Sequence, residues 1–334
     1  MDLYLYGVIE GDRPMDFGSI GFDGKNVTAI PGNGLGAVVG NSPQKGIDHL
    51  QKEELVSLLL AHQQTLESVM KRFFVLPFKF GTILGDRSEL DRILEGSGPL
   101  LKRLVAQMKD SVEMDLIVTW DVRTMLQEIS EEDPEIAACK QQMVQNRADP
   151  FHIGKLLAEA LKRRADAWVR KITQLLGGAV VDSANHDLQN DGMIFNTSFL
   201  VRRDLQKGFF HILEEVDRVF EGKLHFKCVG PLPPYSFATV TLKRFDPAQI
   251  REAATLLHLE GKVEISRLKK IYRELSRTVH PDHHVGVSAE QFERLSEAYE
   301  LVADYCREGA RSLGEEAVVQ YIRLDSLTLQ GETR

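Results

Sequence analysis

The 334-residue chain has only three cysteines, Cys139, Cys228 and Cys306, far apart and without a C-x-x-C pair. That excludes a disulfide framework and a zinc ribbon. No apolar run approaches the roughly 20 residues of a membrane span. The opening Met1, Asp2, Leu3, Tyr4 lacks the basic start and apolar run of a secretory signal. An excess of positive charge is missing too, since 41 Lys and Arg stand against 49 Asp and Glu, a net charge of -8. General nucleic-acid binding needs a basic surface, so it is not expected. The phosphate-loop, H-E-x-x-H and G-x-S-x-G signatures are all absent. The glycine-rich run at 31–36 precedes an apolar strand instead of joining strand to helix, so it is no dinucleotide loop. Nothing in the sequence sets two carboxylates in one pocket. The expectation is a soluble cytosolic protein without catalytic residues, cofactor, metal or membrane contact.

What is present is ordinary globular composition, 43% hydrophobic and 27% charged, which argues against extensive disorder. The length suffices for two or three domains. Residues 3–9 suit a buried strand, and short strands are expected at 26–30 and 35–39. Leu55, Leu58, Leu59, Leu66, Val69, Met70 and Phe73 follow three-and-four spacing, which predicts an amphipathic helix over 52–73 with these residues inward. A strand over 75–84 and helices at 89–94 and 99–108 close an α+β first domain, 1–110.

The second domain, 111–246, opens with strict alternation. Val112, Met114, Leu116, Val118 and Trp120 share one face, and Glu113, Asp115 and Thr119 the other, so the latter are expected in solvent. A long helical region follows, broken at Pro134 and Pro150, with its best helix over 151–176. Strands follow at 179–184 and 193–201, a helix at 204–220, a strand at 223–229 and an added edge strand at 237–242. The order β-α-β-β-α-β is that of a ferredoxin-like sandwich, a fold that implies no function by itself.

Residues 247–308 are wholly helical in pattern, and the tail, 309–334, has an apolar stretch expected to dock as a strand or a short helix. Helices over 264–279 and from about 288 flank His280, Pro281 and Asp282. Leu268, Tyr272, Leu275 and Val279 form the apolar stripe of the first, and Phe292, Leu295, Tyr299 and Val302 that of the second. Ser288 and Gln291 suit a capping box. Over 264–279, five Lys/Arg stand against two Glu, a local +3. His280, Asp282, His283 and His284 cluster, but no distant ligand pair supports a metal site.

The tripeptide and its helices resemble the J domain, with 253–259 in the place of its short first helix. The resemblance implies an α-helical hairpin that engages Hsp70 through His280, Pro281, Asp282 and the basic face of Lys269, Lys270, Arg273 and Arg277. Three departures stand out: the first helix lacks the usual aromatics, no Gly/Phe-rich linker follows, and there is no cysteine-rich substrate module. The bland alternative is a structural appendage with a solvated charged face.

Three further stretches carry a second resemblance: Leu3-Tyr4-Leu5-Tyr6-Gly7-Val8; Val75-Leu76-Pro77-Phe78-Lys79-Phe80-Gly81-Thr82; and Gly230-Pro231-Leu232-Pro233-Pro234-Tyr235-Ser236-Phe237. With the element order they make residues 1–245 similar to the gas vesicle accessory proteins GvpF and GvpL. The resemblance implies an N-terminal α+β domain, a ferredoxin-like second domain and a non-enzymatic role in building gas vesicles. Its implied partners are the main shell protein and other accessory proteins. In plain packing terms, 75–84 is a core strand in which Lys79 either snorkels to the surface or meets a carboxylate. Pro233-Pro234 favours a rigid extended connection.

Overall fold

The computed structural model describes residues 2–43, 50–144, 150–279, 289–306, 311–312 and 317–322. The His280, Pro281, Asp282 tripeptide, Ser288, and most of the tail fall outside these residues. The fold is mixed α+β and divides into two compact units, residues 1–106 with 239–322, and 107–238.

The first unit is built on an antiparallel sheet. Its strands are β1 (Leu3–Glu10), β2 (Met15–Gly18), β3 (Val27–Gly32), β4 (Leu35–Asn41), β5 (Leu76–Pro77) and β6 (Ile83–Leu84), in the order β2-β3-β4-β1-β5, with β6 also on β1. Six consecutive residues of β1 are buried, as expected of an aromatic and aliphatic run covered on both faces. Gly7 is needed where β5 crosses it, because a Cβ there would lie 2.7 Å from the Leu76 carbonyl oxygen.

Helix α1 (Lys52–Met70) is capped by the reciprocal Gln51 and Glu54 box. Its apolar stripe divides in two. Leu66, Val69 and Met70 are buried, whereas Leu55, Val56, Leu59 and Leu60 are 39–52% exposed. The inward placement expected of Leu55 and Leu59 is thereby corrected. The strand expected over 75–84 is also interrupted: Pro77 cannot donate to a ladder, and Gly81 turns the chain with φ of 87°. α2 (Arg87–Gly96) begins with the Asp86 side chain accepting from the Glu89 amide at 2.9 Å, and α3 (Gly98–Met108) follows.

The second unit has the chain order β7 (Ser111–Thr119), α4 (Val122–Glu132), α5 (Pro134–Val144), α6 (Pro150–Leu176), β8 (Asp182–Asn185), β9 (Met193–Arg202), α7 (Gln206–Val219) and β10 (His225–Leu232). Its strands form one sheet, β10-β7-β9-β8, with every pairing antiparallel. Val112, Met114, Leu116 and Val118 join Ile172 and Leu176 of α6 and Phe209, Leu213 and Val216 of α7 in one core. The strand expected at 237–242 is not an edge of this sheet. It is β11 (Thr239–Arg244), and it pairs with β14 (Ala317–Ile322) in the first unit, so the tail docks there as a strand.

Between β11 and β14 lie α8 (Pro247–Leu256), β12 (Lys262–Val263), α9 (Ile265–Val279), α10 (Ala289–Tyr305) and β13 (Arg311–Ser312). β12 pairs with β13. The first of these helices starts six residues before the expected 253–259, because Asp246 accepts from the Ala248 amide at 2.8 Å and Pro247 stands at its first turn. Ile250, Ala254, Leu257, Leu268, Leu295, Val302 and Tyr305 share a core, and Tyr272 stacks on Tyr299 at 4.2 Å.

Candidate functional site

The first two motif stretches meet in the first unit. Gly7 and Val8 pair with Pro77 and Leu76, the Phe78 amide donates to the Tyr6 carbonyl (2.9 Å), and the Leu5 amide to that of Thr82 (2.9 Å). Tyr4 is fully buried within an aromatic cluster of Tyr6, Phe22, His62 and Phe80. Its hydroxyl accepts from the Gly81 amide at 3.0 Å and lies 3.0 Å from His62 Nδ1. The arrangement uses every group if Tyr4 donates to a neutral imidazole. Burial supports that state: it lowers the His62 pKa to about 4 and raises that of Tyr4.

The outer side of this stretch faces solvent. Pro77 and Phe78 are buried, Phe80 and Gly81 partly so, and Lys79 is exposed. The Lys79 side chain forms no ion pair among the described residues. Its amide donates to the Val240 carbonyl of β11 at 2.7 Å, beside a parallel bridge between Phe78 and Val240. A shallow cleft of ≈ 330 Å³ is lined by residues of 79–83 and by Thr241, Leu242 and Arg244. Arg244 holds Glu89 at 2.9 Å and the Ile83 carbonyl at 2.7 Å. These groups brace the turn after Lys79.

The third stretch lies in the second unit and does something the sequence hid. Pro233 and Pro234 are buried, Tyr235 is half-buried, and the 233–238 turn is closed by the Ala238 amide on the Pro234 carbonyl (2.8 Å). The Ser236 amide donates to one carboxyl oxygen of Glu113 at 2.8 Å, and the Ser236 hydroxyl lies 2.7 Å from the other. Glu113 is therefore 1% exposed, which overturns its expected placement in solvent. Strand periodicity alone assigned it outward, and only the lone Ser236 amid apolar motif neighbours hinted at a buried partner. Ser198, Asp115 and His186 extend the same network.

On α9, Lys269, Lys270, Arg273 and Arg277 are exposed, and none makes an ion pair among the described residues. Leu268 is buried, with Tyr272 and Leu275 partly so on the opposite side. No group of three metal-ligating side chains occurs among the described residues, and none of their helices is long and apolar enough to cross a membrane.

The chain is thus an α+β protein of two sheet-based units. Residues 2–239 match the model of the gas vesicle synthesis protein GvpL/GvpF family, and the chain belongs to that family. Gas vesicle protein F of Microcystis aeruginosa is 24% identical over 245 residues, spanning 71% of this chain and 97% of the relative. Gas vesicle protein F1 of Halobacterium salinarum is 22% identical, spanning 72% and 93%. Among solved structures, the crystal structure of GvpF from Anabaena sp. PCC7120 superposes with a TM-score of 0.61 at 22% identity, covering 70% of this chain and 97% of that one. That likeness concerns the fold. The residues from 240 onward lie outside the family match.

Proposed function

We propose that the chain is a non-catalytic assembly factor for gas vesicles, binding the apolar shell subunit and other accessory proteins in the cytoplasm. The carrying observation is the family match across 2–239, with relatives aligned over nearly their whole length. The physical need is direct. A wall that keeps liquid water out is built from strongly apolar, β-pairing subunits, which aggregate unless shielded before insertion. The second unit is a ferredoxin-like sandwich in this reading, supported by its element order and its β10-β7-β9-β8 antiparallel sheet.

The surface we assign to the shell subunit is the exposed apolar half of α1, where Leu55, Val56, Leu59 and Leu60 lie together in one helical segment. Exchanging both Leu59 and Leu60 for Ser removes two contacts worth about 1.5–3 kcal/mol each when buried. Capture of purified shell subunit by the intact protein is expected to fall at least about tenfold. Unchanged capture would remove α1 from the reading, and no capture by the parent protein would remove the reading itself. The Pro77, Phe78, Lys79, Phe80, Gly81 and Pro233, Pro234, Tyr235 stretches act here as rigid supports.

Residues 247–308 form a separate J-like module in this reading, with Lys269, Lys270, Arg273 and Arg277 as the basic face and His280, Pro281 and Asp282 as the contact for Hsp70. The exposure and local charge of that face support it. A second reading follows from the same module: a co-chaperone whose clients are unrelated to vesicles. The substitution His280→Gln separates the two. It is expected to abolish stimulation of Hsp70 ATPase and to lower vesicle yield if the module serves assembly. Loss of stimulation with normal vesicles favours the second reading, and unchanged stimulation excludes both J-like roles.

A further inference from the structure

The Glu113 network is one hydrogen short. Ser236 N–H and Oγ reach the two Glu113 oxygens at 2.8 and 2.7 Å, and Ser236 Oγ also lies 3.0 Å from Ser198 Oγ. Ser198 Oγ in turn lies 2.5 Å from Asp115 Oδ1 and 2.7 Å from His186 Nε2. With both carboxyl groups ionised, the available hydrogens are one amide, two hydroxyls and one imidazole N–H, and these must fill five short contacts. Two hydroxyls cannot serve the Glu113, Ser198 and Asp115 links together. One further proton closes the set. Glu113 then donates to Ser236 Oγ, Ser236 to Ser198, Ser198 to Asp115, and His186 to Ser198.

The extra proton belongs on Glu113 because it is the more buried carboxyl, at 1% exposure, while Asp115 is half-buried. The other ionisable groups on this face do not replace it. Asp182, in the same row across Leu200, brings a further carboxyl and no positive group, and Lys227 of β10 is exposed and makes no ion pair among the described residues.

We infer that Glu113 is a proton-operated latch: as a neutral acid it fastens the 233–238 turn onto β7, and its ionisation releases that turn. Burial first, then the nearby Asp115 charge, push the Glu113 carboxyl up to about 8 against the opposing Ser236 hydrogen bonds. An acid whose pKa is higher in the closed form holds its proton there while the open form has lost it. The latch is therefore fully closed below the ordinary carboxylate range, weakens as pH rises, and levels off above about 8.

Hydrogen exchange of the Ser236, Phe237 and Ala238 amides in the intact protein tests this, compared with Glu113→Gln, whose amide imitates the neutral acid. The ratio of wild-type to E113Q opening is expected to rise by up to about tenfold per pH unit from about pH 5 to 8 and then flatten. Equal pH profiles in the two proteins would overturn the latch. Carboxyl carbon-13 titration of wild-type Glu113 is a second test that needs no variant. A neutral signal at pH 6.5 supports the proposal, and an ionised one refutes it.

Discussion

Replacing Tyr4 with Ala is expected to destabilise the protein by about 3–5 kcal/mol, read as a fall in the urea midpoint of the intact chain. Tyr4 is fully buried between Tyr6 and Phe22, with ring centroids 4.7 Å away in both cases. Truncation leaves a ring-sized void in the cluster and also strips the Gly81 amide and His62 of their shared partner. Tyr4→Phe separates these terms. It keeps the ring and is expected to cost about 1–3 kcal/mol, the penalty for orphaned buried polar groups. A cost below 1 kcal/mol for Tyr4→Ala would mean that the cluster contributes little to holding 75–82 against β1.

Acid is expected to weaken the same cluster through His62. Its imidazole is 3% exposed, and its pKa is lowered by burial to about 4. An unfolded chain takes up a proton near pH 6.5 while the folded one does not. The contribution of neutral His62 to stability is therefore intact above pH 6.5 and is lost as pH falls toward 4, by about 3 kcal/mol in all. Denaturation midpoints for wild type and His62→Asn, measured from pH 7 to 4, should diverge by that slope. Parallel curves would show that His62 is not the group responsible. Glu113 pulls the other way, favouring the folded state at low pH, so the two groups together place the optimum in the mildly acidic range.

Much of the fold could be read from local pattern. The buried run of β1, the alternation of β7 and the long periodic helix α6 are all signals carried within one element. What escaped depends on partners distant in sequence. Glu113 obeyed the outward phase of its strand, yet Ser236 covers it from 123 residues away. Leu55 and Leu59 fit the inward phase of α1, yet the helix outruns the sheet that buries its second half. Residues 75–84 had strand composition throughout, but Pro77 and the positive φ of Gly81 split the pairing. β2 was missed because Met15–Gly18 is short and bordered by glycine-rich sequence. The motif stretches were visible as family marks, whereas the proton network beneath the third one requires three-dimensional distances.

The pairing of β11 with β14 has a topological consequence. Arg244 and Ala317 are opposite each other in that ladder, so everything from 245 to 316 departs and returns through adjacent points. The helical segment is thus a cassette on a single doorway. Joining the two strands by a tight turn would excise it without severing the ladder, and a different cassette could occupy the same opening.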